Sequence, residues 1–116
     1  MSLTLVTAQF AVSADIDANL AAIERLMRRA RHAGADVAHF PEAALSGYAG
    51  VDFASFDGFD WARLEAATRR IMALAGELGL WVVIGSAHRL SEGRRPPALA
   101  PVSVAWPWPL APHWAP

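Results

Sequence analysis

The sequence predicts a layered α/β protein of about three strands and two helices, because short apolar runs alternate with longer amphipathic segments across mostly short links. The runs are residues 3–10, 37–40 and 81–85, and the first is rich in β-formers (Val6, Thr7, Phe10). Its compact apolar character reads as a strand buried on both faces. Between the first two runs, Ile16, Leu20, Ile23, Met27 and Ala30 recur at helical spacing. Asp15 or Asp17 is available as N-cap, and Gly34 stands as the stop. Glu24 and Arg28 stand at i,i+4 on the charged side of this helix.

The second run closes at Pro41, which cannot donate to a ladder, and Glu42 stands just beyond it. Residues 49–58 show no sustained period and carry two Gly, two Asp and a Ser, so they read as a loop leading to Asp60 as a cap. Trp61, Leu64, Thr68, Ile71, Ala75 and Leu78 then mark one face of a second helix, with Gly79 as its end. Right-handed crossovers between parallel strands would carry Glu42 to the carboxyl edge of the sheet, where α/β proteins usually place their chemistry.

Composition sets the outer bounds. The 116 residues fit one modest domain, and 54% of them are hydrophobic, slightly above the roughly 45–50% of ordinary globular chains. The net charge of −1 divides into −4 over residues 1–60 and +3 over residues 61–116, and neither half points to nucleic acid or an anionic membrane. All ten basic residues are arginine, and the sequence contains no lysine and no cysteine. Disulfides, zinc-thiolate sites and a thiol nucleophile are therefore outside its chemistry. His32, His39, His88 and His113 lack metal-ligand spacing, so neither a metal nor another cofactor is expected. The start of the chain lacks a signal-peptide pattern, and residues 78–87 are too short and glycine-broken to cross a bilayer, so a soluble cytoplasmic product is the expectation.

From Pro96 the character changes. Seven prolines interrupt residues 96–116, no charged residue follows Arg95, and Trp106, Trp108 and Trp114 stand among them. The expectation is an irregular, extended Pro/Trp-rich tail. The chain accordingly divides at 1–95 and 96–116.

Within residues 3–95, an ordered set of motifs resembles the N-terminal part of the nitrilase superfamily of carbon-nitrogen hydrolases. The set comprises Gln9-Phe10, Asn19-Leu20, Gly34-Ala35-Asp36, Phe40-Pro41-Glu42, Ser46-Gly47-Tyr48 and Val82-Val83-Ile84-Gly85-Ser86. Phe-Pro-Glu alone fits a solvent-facing carboxylate at a turn better than a catalytic one; the ordered set reverses that. The resemblance implies an α-β-β-α sandwich, here incomplete, in a family whose members usually associate through their helices. It also implies a Glu-Lys-Cys catalytic set. In that set the thiol attacks a nitrile or amide carbon, the Glu serves as general base, and the Lys stabilises the tetrahedral species. Only Glu42 maps, as the catalytic carboxylate. By the same resemblance Tyr48 lines the pocket and binds substrate, although a tyrosine buried with a satisfied hydroxyl fits the residue nearly as well.

The function these residues imply is hydrolysis of non-peptide carbon-nitrogen bonds in small amides, nitriles or N-carbamoyl compounds. This chain retains only the glutamate and is expected to be inactive alone. The composition of the tail, rich in Pro, Ala, Arg and Trp, is what a shifted reading frame in GC-rich DNA would give, so a truncated or frameshifted product is expected. The alternative origin is a natural short form; the alternative function is a non-catalytic module that pairs with a separately encoded second half or offers its Pro/Trp tail to a partner. Because two helices can cover only one side of the sheet, self-association or aggregation is expected as well.

Overall fold

The computed structural model describes residues 2–87 and the backbone of residues 102–105. Six elements follow one another: β1 (Leu5–Thr7), α1 (Ile16–His32), β2 (Val37–His39), α2 (Trp61–Leu78), β3 (Trp81–Gly85) and β4 (Val102–Ala105). The strands form one sheet in the order β1-β2-β3-β4. β1 pairs with β2, and β2 with β3, in parallel. β4 joins antiparallel to β3, with Val83 opposite Val104.

The helix ends follow the local chemistry expected of them. Asp15 caps α1, its carboxylate accepting from the Ala18 amide at 3.1 Å. Asp60 caps α2 in the same way, accepting from the Arg63 amide at 3.0 Å. Each such cap contributes about 1 kcal/mol by satisfying an orphan donor of the first turn. α1 stops at His32, two residues before Gly34, and α2 runs through Gly76 to end at Gly79.

The core is a single cluster in which both helices meet one side of the sheet. It contains Ile16, Ile23, Met27 and Ala30 from α1, and Leu64, Ala67, Ile71, Leu74 and Ala75 from α2. From in and beside the strands it takes Ala8, Ala38, Phe40, Val82 and Ile84, residues that alternate as a pleated strand requires. Across the helix pair, Arg70 meets Glu24 at 2.7 Å and Arg63 pairs with Asp17. These pairs are largely exposed, so each is worth at most about 1 kcal/mol, and apolar burial holds the helices together.

The opposite side of the sheet differs from the expectation for the first strand. Leu5 is 59% exposed and Trp81 40%, so β1 is not buried on both faces. Leu5, Val37 and Trp81 stand side by side across three strands on this face. An apolar run in sequence cannot show whether a second layer covers its strand, and among the described residues none does.

A second departure lies in the stretch expected to be irregular. Val102–Ala105 forms β4 because it lies between Pro101 and Pro107, free of proline and with two β-branched residues. The rest of the Pro/Trp-rich tail, including its three tryptophans, lies outside the described residues, as do His88 and the boundary placed at residue 95. Among the described residues no helix is long and apolar enough to cross a membrane.

Exposed Leu5 on β1, the edge strand among the described residues, favours association between copies. Size-exclusion chromatography with light scattering should show an apparent mass that rises with concentration, and Leu5→Glu should reduce that rise. A concentration-independent monomer would contradict this reading of the face.

Candidate active site

The site grows from the end of β2. The amide of Phe40 donates to the carbonyl of Val83 at 2.9 Å, and its ring is buried, so the strand is pinned to its neighbour up to that residue. Pro41 then fixes one backbone dihedral, and Glu42 emerges exposed at the carboxyl edge of the parallel strands. Ala43 has φ of 54°, in the left-handed region that a residue with a Cβ seldom occupies. That conformation turns the chain sharply, and the Gly47 amide closes the turn on the Ala43 carbonyl at 2.9 Å.

Two glycines make this turn possible. A Cβ on Gly85 would stand 2.8 Å from the Ala43 nitrogen and 3.0 Å from the Glu42 Cα, so the β3 terminus must be bare for the Glu42 backbone to rest on it. Gly47 has φ of 78°, and a Cβ there would meet the Ser13 carbonyl at 2.7 Å. Beneath the turn, buried Asn19 ties three segments together. Its Nδ2 donates to the carbonyls of Ser13 and Leu45 at 2.8 and 3.0 Å, and its Oδ1 accepts from the Ser13 amide at 2.9 Å. Buried Ser46 donates to the Gly47 carbonyl and accepts from the Ala87 amide, both at 2.9 Å. Every buried polar side-chain atom among the described residues has a partner, as a rigid support demands.

The structure brings together the two residues singled out from the sequence. The Tyr48 hydroxyl donates to Oε1 of Glu42 at 3.3 Å, while the Tyr48 amide donates to Asp52 at 2.7 Å. Partial loss of hydration raises the Tyr48 phenol above its ordinary pKa, and the charge of Glu42 and the hydrogen bond to it raise it further. Both residues line a cleft of about 250 Å³ at the sheet edge. His39, Val83 and Gly85 border it from the strands, Ala43 and Ser46 from the turn, and Phe56 from the loop before α2. A carboxylate in this position, exposed yet held by a donor, can exchange protons with a molecule in the cleft.

A family model described as carbon-nitrogen hydrolase matches residues 3–99. The chain belongs to the carbon-nitrogen hydrolase family. Solved structures agree on the fold. An amidase from Nesterenkonia sp. is 24% identical with a TM-score of 0.63, the match covering 74% of this chain and 32% of that one. A mutant of the amidase from Nesterenkonia sp. AN1, with the acetamide moiety of fluoroacetamide added covalently at its active-site cysteine, is 21% identical with a TM-score of 0.67. That match covers 90% of this chain and 38% of the other. Another mutant of that amidase, in complex with butyramide, is 22% identical with a TM-score of 0.64, over 88% of this chain and 37% of the other. The chain thus spans between 32 and 38% of the length of these amidases of the nitrilase superfamily. Comparison with curated proteins gives no match.

The sequence singles out Glu42 and Tyr48, which the structure places side by side, but not the residues that support them. Asn19, Ser46 and Gly85 belong to the family-like motifs, but no local rule in the sequence assigns them a part. The absence of a sustained apolar period over residues 49–58 gives Phe56 no part in the sequence reading. Phe53, Phe56 and Phe59 in fact recur every third residue and pack with one another.

Two measurements check the geometry. Asn19→Ala leaves the Ser13 and Leu45 groups unsatisfied and should cost about 2–3 kcal/mol in urea denaturation; a loss within error of zero would contradict the clamp. Tyr48 is the one tyrosine of the chain, so its ionisation can be followed by ultraviolet absorbance. Glu42→Gln removes the neighbouring negative charge, and the midpoint should fall toward the ordinary phenol value; an unmoved midpoint would mean that the two groups do not meet.

Proposed function

We propose that this chain supplies the general-base part of a carbon-nitrogen hydrolase site for small amides, nitriles or N-carbamoyl compounds, and that alone it is inactive. The observation that carries this reading is the placement of Glu42. Its carboxylate lies on the cleft, held by the Tyr48 hydroxyl, in a sequence with no cysteine or lysine anywhere among its 116 residues. The fold shared with amidases, one of which forms a covalent adduct at its active-site cysteine, supports the same chemistry.

In this reading Glu42 takes the proton of a thiol supplied from outside these residues. The thiolate sulfur bonds to the amide carbon, the carbon-nitrogen bond breaks, and Glu42 returns the proton to the leaving nitrogen, which departs as ammonia or amine. Water then adds to the thioester while Glu42 accepts its proton, releasing the acid and restoring the thiol. Tyr48 holds the carboxylate toward the cleft between these steps. Charge developing on the carbonyl oxygen needs a cation or other donors that this chain does not supply as lysine.

A second reading, in which the chain is a non-catalytic module that pairs with a separately encoded half, draws on Leu5, exposed on the edge strand β1. An ammonia-release assay separates the readings. The purified chain alone should give only background on butyramide, since loss of an essential nucleophile can cost on the order of 10⁶ in rate. Release that disappears in Glu42→Ala would overturn the claim of inactivity. Activity that appears on mixing with a second chain bearing the missing lysine and cysteine would favour the paired module.

A further inference from the structure

We infer that Phe56 is the specificity-determining wall of the Glu42 cleft, limiting the length of the acyl group on a neutral primary amide bound there. This rests on the amide reading of the site. Most side chains bordering the cleft are small or already committed: Ala43, Ala49 and Ala87 are short, and the Phe40 ring is buried in the core. The hydroxyl of Tyr48 is engaged with Glu42. Val83 is smaller and His39 is polar, so Phe56, half-buried, is the bulky apolar group that the cleft shares with solvent.

A wall selects by size only if it does not yield, and the Phe56 ring is braced by three neighbours. Phe53 and Phe59 meet it edge-on, each with centroids 5.3 Å away, and Trp61 stacks on it at 5.2 Å with planes 26° apart. Trp61 is the first residue of α2, directly after the Asp60 cap, and it also packs on Phe59 at 4.7 Å. The loop that carries Phe56 is thereby tied to a helix rather than left to swing. Aromatic pairs of this geometry add to the area they bury and hold the rings in place. An acyl chain that outgrows the cleft meets a braced ring, whereas a short one gains apolar contact with it.

The test is a set of NMR titrations of the full chain with acetamide, butyramide and hexanamide, following the backbone amides of Glu42 and Gly85. One methylene in an apolar pocket is worth roughly tenfold or more, so changing the wall should alter the ranking measurably. Phe56→Ala should raise hexanamide affinity relative to butyramide by roughly that factor, and Phe56→Trp should lower butyramide relative to acetamide. Far-UV circular dichroism establishes that each variant is folded; if Phe56→Ala is not, Phe56→Leu takes its place beside the tryptophan variant. Unchanged ratios in folded variants, with the wild-type chain binding amides at Glu42 and Gly85, would overturn the part given to Phe56 and leave the amide reading intact. Absence of any amide binding by the wild-type chain, or shifts confined to other residues, would overturn the amide reading and this inference with it.

Discussion

The backbone of Glu42 and Ala43 rests against Gly85 at a separation that no side chain could share, and the rest of the site follows from this contact. A carboxylate on a free loop would sample many positions. Here the strand before it is hydrogen-bonded to β3 through Phe40, and the turn after it is pressed on the end of that same strand. The chain has little freedom between those two points. Ala43 accepts a left-handed conformation, which is tolerable only where the surroundings determine it fully. The motif Phe-Pro-Glu is thus one half of a device whose other half is the glycine at the end of the third strand.

The supports below the turn are polar and buried, which makes them effective and exacting. Asn19 reaches from α1 to both the Ser13 segment and the Leu45 carbonyl, so the first helix, the chain before it and the Glu42 turn form one unit. A buried amide with all its partners rigidifies its surroundings, whereas the same amide with one partner missing would destabilise them. Tyr48 enters this unit from the far side of the turn, its amide held by Asp52 and its hydroxyl on Glu42. The charge of Glu42 therefore acts on a phenol whose position is already fixed.

Much of this was legible in the sequence where a local rule decides the outcome. The caps Asp15 and Asp60, the end of α2 at Gly79 and the span of β3 follow from residue chemistry that acts over a few positions. The partnership of Gly85 with Glu42 could not be read that way, since it joins residues on different strands and depends on register. The phenylalanines at 53, 56 and 59 are legible as a repeat of three, but the bracing of Phe56 by Trp61 depends on where α2 begins. Burial of β1 was misjudged because an apolar run reports the residues and not the layers around them, and β4 was missed because proline density on both sides masked four residues free of it.

In the proposed reading Glu42 is a base held in place, in a sequence that contains no lysine and no cysteine. The central claim is that the Glu42 turn is seated on Gly85. It is tested most directly by Gly85→Ala, with urea denaturation and amide chemical shifts measured on the same sample. Seating predicts a loss of about 1–3 kcal/mol from overpacking, together with displaced resonances from Glu42 through Tyr48. A variant as stable as the wild type, with those resonances unmoved, would contradict it.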